Sequence, residues 1–207
     1  MPDRRIITVL VCVAALALTA AGAGPSVASA PAAPADPHAR ELIAQLHLHY
    51  LPGESGYFGV IGRSAQLVVR DHREFAAQSQ IHYLLTAELP LNYLHWLASD
   101  DTHILLEGGP VDYFIFHPDG RAEMVTLGRD LAAGQRLVVA VPGGCWKALR
   151  LHPGVAYALM ANVLSPEWTP DRVRIGAGPA FLARYRDAAP WATDAKLREL
   201  IGPNFQP

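Results

Sequence analysis

Four side chains able to move protons or hold a cation fall within nine residues: His95, Asp100, Asp101 and His103. Apolar residues flank them on both sides, and Gly108-Gly109-Pro110 closes the run with a turn signal. A neutral imidazole beside a carboxylate is the start of a donor set for Zn, Fe or Mn. The same pair is also a general base with the carboxylate that orients it. Two groups do not complete a metal site, which takes three or four. The spacing leaves both chemistries open.

These side chains work together only if strands aim them at one place. Residues two apart on a strand share a face. His95 and Leu97 therefore point one way, and Leu94 and Trp96 the other. Asp101 and His103 share a face if a strand begins near Asp101. A tight turn over residues 98–100 would then carry His95 and Asp101 into the mouth of a small barrel.

The surrounding pattern supplies such strands. Short apolar runs recur at 57–61, 65–69, 80–86, 93–97, 103–107, 111–117, 122–127, 136–141, 145–151, 155–163 and 173–175. Gly, Pro, Asp and Asn separate them, most clearly at Pro118-Asp119-Gly120, Pro142-Gly143-Gly144 and His152-Pro153-Gly154. Many short strands at such intervals predict an all-β sandwich or barrel. A helix is expected over 37–46, with Asp36 as its cap and Pro37 at its first position. Two more are expected over 179–186 and 193–201, the second capped by Thr193 and stopped by Gly202-Pro203.

Composition narrows the function classes. The 207 residues are 51% hydrophobic and 17% charged, with net charge −2, as in an ordinary globular chain. Nothing in that balance asks for nucleic acid or an anionic membrane as partner. Arg4 and Arg5, the apolar run Ile6 to Ala21 and Ala28-Ser29-Ala30 read as a signal peptide cut after Ala30. The apolar run is short for a membrane span. Export to the periplasm or outside the cell is the expectation, with no membrane contact beyond the signal. Residues 31–37 read as an Ala/Pro-rich tether, 38–187 as the domain and 188–207 as a helical tail. Cleavage would remove Cys12 and leave Cys145 alone, so no internal disulfide is expected. No nucleophile elbow, Gly-rich phosphate loop or CxxC pair is present.

Ordered segments along the chain resemble one family. Asp101, then six residues, then Gly108 fits the end of the first cupin motif, and Pro142-Gly143-Gly144 fits the Pro-x-Gly of the second. Gly53-Glu54-Ser55-Gly56-Tyr57-Phe58, Ile81-His82-Tyr83-Leu84-Leu85-Thr86, His117-Pro118-Asp119-Gly120, Leu127-Gly128-Arg129-Asp130-Leu131, Val141 to Trp146 and Val163 to Trp168 are similar to the uncharacterised cupin subfamily DUF985, or Cupin_5. The resemblance covers about residues 41–187. It implies a double-stranded β-helix, that is, a jelly-roll barrel, often as a homodimer.

The departures bear on chemistry. Metal-binding cupins use a His-x-His pair, an acidic residue and a later His. Here those positions are His95, Leu97, Asp101 and Lys147. Leu97 has no donor, and a charged Lys147 repels a cation. The expected site is therefore metal-free and without cofactor, with Lys147 paired to Asp101 and the pocket lined by Tyr83, His95, Asp101, Cys145 and Lys147. One cation, one acid and one imidazole suit a small polar or acidic ligand. His95 and Asp101 as base and orienter in an isomerase or epimerase form the alternative, and a ligand-free paired scaffold is a third. His103 reads as surface or satisfied core, His47, His49, His72, His117 and His152 as surface, and Tyr57, Trp146 and Trp168 as wall or core.

Overall fold

The computed structural model describes residues 31–207, which form one compact unit. The expected signal peptide and its cleavage site lie outside the described residues. In chain order, helix α1 (Pro37–Gln45) leads into β1 (His49–Tyr50), β2 (Tyr57–Arg63), β3 (Leu67–Arg70) and β4 (Arg73–Ala76). Next come β5 (Ser79–Thr86), β6 (Leu91–Leu97), β7 (Asp100–Gly108), β8 (Val111–Phe116) and β9 (Ala122–Leu127). The chain continues with β10 (Val138–Val141), β11 (Trp146–Leu151), β12 (Tyr157–Ser165) and β13 (Val173–Ile175), then α2 (Pro179–Tyr185) and α3 (Asp194–Ile201).

Two antiparallel sheets face each other. The first has the order β1-β2-β5-β12-β7-β10, and the second β13-β6-β11-β8-β9. Strands close in sequence alternate between sheets, which is the jelly-roll winding. The pair β3-β4 stands apart as a hairpin. Between the sheets lies an apolar core that includes Leu85, Leu105, Val111, Tyr113, Ile115, Leu127, Leu149, Leu151 and Met160.

Burial follows the two environments. On β7, Asp101, His103 and Leu105 are buried while Asp100, Ile104 and Leu106 are exposed, as a sheet with one wet face requires. In β8 only Asp112 interrupts the buried run, because α2 and α3 cover the outer face of the second sheet. Phe181, Leu182, Leu197, Leu200 and Ile201 pack there on Leu94, Phe114, Phe116 and Ala148. The expected tail is therefore part of the domain. The expected tether is also fastened at its end: Pro34 is buried, the Ala35 N–H donates to Glu88, and Arg40 donates to the Pro34 carbonyl. Asp36 Oδ1 accepts the Ala39 N–H at 2.9 Å, and Thr193 caps α3 through the Lys196 N–H. Strands β1 and β4 went unforeseen; β1 is two residues long, and β4 opens on Arg73 and Glu74.

The turn after β7 allows little substitution. Gly108 has φ +69°, and a Cβ there would overlap the carbonyl oxygen of Tyr157 on the neighbouring strand. A side chain meets both left-handed strain and a backbone clash. Gly108→Ala is expected to cost about 2–3 kcal/mol, measured by urea unfolding; a loss below about 0.5 kcal/mol would mean that the turn relaxes freely.

Candidate functional site

At one end of the barrel core the packing turns polar. Tyr113 marks the change: its hydroxyl meets Met160 Sδ at 3.2 Å, and its ring lies edge-on to His103 at 5.2 Å between centroids. Beyond it both sheets send polar side chains inward. The first sheet gives Asp101 and His103 from β7, and Asn162 from β12, where Asn162 is paired in register with His103. The second gives His95 from β6 and Lys147 from β11, which are partners across the two strands.

A bulge adds one more. Lys147 pairs with His95 and Leu149 with Asn92, so three steps on β6 oppose two on β11. The extra residue turns Asn92 to the same side as His95, and both line the cavity. Regular alternation would have sent Asn92 the opposite way.

Asp101 is the hub. Lys147 Nζ and His103 Nε2 (3.0 Å) meet its Oδ2, and Asn162 Nδ2 donates to its Oδ1. All four residues are buried. His103 Nδ1 has no partner. A proton on Nε2 satisfies Asp101 and leaves Nδ1 a bare lone pair, whereas a proton on Nδ1 would bury an unpaired N–H. The first arrangement is the more favourable. Burial pushes the His103 imidazole down to about 3, and the nearby Glu54 carboxylate opposes that shift. Burial likewise pulls the Lys147 ammonium down to about 7.

His95 stands beside this hub without joining it. Its Nδ1 lies 2.8 Å from the Tyr93 carbonyl, which only accepts, so Nδ1 carries the proton and Nε2 a lone pair. Burial lowers its pKa to about 4, so the ring is neutral at ordinary pH. Nε2 faces Glu54 Oε2 at 3.7 Å. Glu54 sits on the loop between β1 and β2. The Tyr93 N–H donates to its carbonyl at 2.7 Å, and Asn204 Nδ2 donates to the Gly53 carbonyl at 2.7 Å. The C-terminal segment thus pins the loop that carries this carboxylate.

Above the polar base lies a cavity of about 420 Å³. Leu51, Phe58, Ile81, Leu97 and Leu164 give it apolar walls, and Arg63, Gln80 and Trp168 also border it. Of the five residues expected to line a pocket, Tyr83, His95, Asp101 and Lys147 do so. Tyr83 donates its hydroxyl to the Ser55 carbonyl at 2.7 Å, which fixes it as a wall. Cys145 is a correction: it packs in the barrel core outside the cavity, with Sγ 3.5 Å from His117 Nδ1. Alternation with Lys147, Leu149 and Leu151 does turn Cys145 inward, but it packs there among the apolar side chains of the core and does not line the cavity. His117 is also held, with Nε2 2.8 Å from Glu123, and His152 bonds Asp112. Trp168 is nearly half exposed rather than core. The expected pairing of His95 with Asp101 as base and orienter is not formed, since each is engaged elsewhere.

The residues present do not fit a metal. Leu97 lacks a donor atom, Lys147 sets an ammonium on Asp101, and both Asp101 oxygens carry donors. Among the described residues no three His, Cys, Asp or Glu side chains converge to hold one. Sequence reasoning missed Glu54, Asn92 and Asn162 altogether. Glu54 lay within a matching segment, but on a loop whose distant docking no local pattern shows.

Comparisons with known proteins agree with the architecture. A family model described as Cupin superfamily (DUF985) matches residues 40–175. An uncharacterised protein of Saccharomyces cerevisiae, YML079W, is 31% identical over 127 residues, which cover 55% of this chain and 63% of that protein's length. Among solved structures, protein SO0799 from Shewanella oneidensis superimposes with a TM-score of 0.68 at 25% identity, covering 79% of this chain and 96% of that one. A hypothetical protein from Leishmania major does so with 0.65 at 25% identity, covering 77% and 96%. With the jelly-roll winding and the match over most of the barrel, this chain belongs to the cupin superfamily, in its DUF985 family.

Proposed function

We propose that the barrel binds a small, polar-headed molecule directly through its side chains, without a metal. The observation that carries this is the cavity of about 420 Å³ with apolar walls and one buried polar end. Sites for small ligands have that build, mostly apolar with a few placed polar groups. A scaffold role needs no such space, and the barrel's own side chains leave this one open. The basic-apolar N-terminal segment supports export of the chain, and the family resemblance supports a paired barrel; fractionation and sedimentation test these two.

The binding reading is tested by thermal-shift screening of the purified chain together with metal analysis. A ligand at a hundred times its Kd is expected to raise stability by about 2.7 kcal/mol, a rise in Tm of several degrees. Ile81→Phe, which fills the cavity, is expected to abolish the rise. Near-stoichiometric Fe, Mn, Ni or Zn in the purified protein would overturn the metal-free reading. A screen in which the two proteins behave alike would overturn the binding reading.

A second reading, proton transfer in an isomerase or epimerase, has one specific support: neutral His95 with its Nε2 lone pair toward the cavity. Asp101 does not serve it as orienter, since the Tyr93 carbonyl already holds that side of the ring.

A further inference from the structure

The charges at the base of the cavity differ from what the cluster His95, Asp101 and Lys147 promises by itself. Those three, one cation, one acid and one imidazole, suit a small polar or acidic ligand. The Lys147 ammonium, however, is matched by Asp101. The carboxylate left over is Glu54, whose side chain is 16% exposed and lines the same cavity. Among the described residues no Lys or Arg pairs with Glu54; its polar neighbours are Asn92 Nδ2 at 3.4 Å and His95 Nε2 at 3.7 Å. Arg63, at the cavity's edge, is 3.2 Å from Glu167. The base therefore carries an unmatched negative charge.

Between His95 and Glu54 the hydrogen-bonding character is equally one-sided. His95 presents a lone pair at Nε2, because Nδ1 holds the proton toward Tyr93. Glu54 Oε2 presents lone pairs. The two acceptors face each other at a distance too long for a hydrogen bond. A group placed between them must bring protons. A carboxylate would bring lone pairs to lone pairs and set a second anion beside the first, and like charges at such range are unfavourable. An ammonium group carries enough N–H protons to donate to both acceptors, and an alcohol O–H donates to one of them.

Building on the reading of the cavity as a binding site, we infer that it selects a ligand whose polar end is a hydrogen-bond donor, an alcohol or an amine on an apolar body, and that it discriminates against carboxylates. Glu54 is the residue that sets this preference. The loop is made to hold it: the Tyr93 N–H and Asn204 side chain fix the backbone at Glu54 and Gly53, and a Cβ on Gly56 would overlap the Tyr83 hydroxyl. The apolar body rests on Leu51, Phe58, Ile81, Leu97 and Leu164.

Three matched probes test it: hexan-1-ol, hexylamine and hexanoate, titrated calorimetrically into the full chain at neutral pH. Hexanol and hexylamine are expected to bind at least about tenfold more tightly than hexanoate, a difference of about 1.4 kcal/mol. Glu54→Gln keeps the shape and removes the charge. It is expected to weaken hexylamine about tenfold, hexanol less, and to narrow the gap to hexanoate. Hexanoate binding as tightly as the other two, or no binding by any of the three, overturns the inference. The first outcome leaves the cavity reading intact. That reading falls separately, if Ile81→Phe matches the wild type across the wider screen. A Glu54→Gln variant that folds normally and keeps the wild-type order of the three probes would remove Glu54 from the role given to it.

Discussion

Replacing Lys147 by methionine is expected to destabilise the barrel by about 3–5 kcal/mol, the cost of leaving a buried charge without its partner. Asp101 is 2% exposed and would keep only the neutral donors His103 and Asn162. The loss comes from the stranded carboxylate more than from a strong ion pair, because burying both ions already costs much of what their attraction returns. The double variant Lys147→Met with Asp101→Asn should therefore recover at least half of the loss, and a double-mutant cycle by urea unfolding would show strong coupling. Additive effects, or a Lys147→Met loss below about 1 kcal/mol, would mean that the carboxylate is neutralised by some other route.

Acid should weaken the fold in a window set by the buried imidazoles. His95 titrates near 6.5 when unfolded and at about 4 when folded, because burial disfavours the imidazolium. Between those values the unfolded chain binds more protons, so stability rises with pH. The contribution is present in full above pH 6.5 and is lost as the pH falls to about 4. Two and a half pH units at about 1.4 kcal/mol each make roughly 3.5 kcal/mol for this one residue. His103 acts in the same direction to about pH 3, where its imidazolium would bury an Nδ1–H without an acceptor. His95→Asn keeps a donor for the Tyr93 carbonyl and removes the titration. Its unfolding free energy should fall less steeply between pH 6.5 and 4 than that of the wild type, whatever its stability at pH 7. Parallel curves would show that folding does not lower the pKa of the His95 imidazole.

The two experiments probe separate parts of one site. The first reads the hub around Asp101, which ties the sheets together. The second reads the imidazole that faces the cavity. A ligand that takes the space between His95 and Glu54 should leave the hub intact, since the hub's own side chains already satisfy Asp101.

By itself the sequence determined most of the strands, and the family resemblance implied how they wind. Short apolar runs between Gly and Pro turns located eleven of the thirteen strands among the described residues, because strand alternation and turn chemistry are local properties written within a few residues. Asp36 and Thr193 announced their helices for the same reason, as caps act on backbone groups two or three positions away. The facing of Asp101 and His103 was legible from a spacing of two, and Lys147 from its place after Pro142. Where locality failed, so did the reading. Cys145 shares the inward face of Lys147 but lies outside the cavity, because strand parity says which face a side chain takes and not how far along the barrel the cavity extends. Asn92 entered it through a bulge that appears only when β6 is laid against β11. Glu54 and Asn162 reach the site from a loop and a strand 41 residues before and 67 residues after His95. Only the closing of the two sheets puts them there, and Glu54 takes the site from balanced charge to net negative.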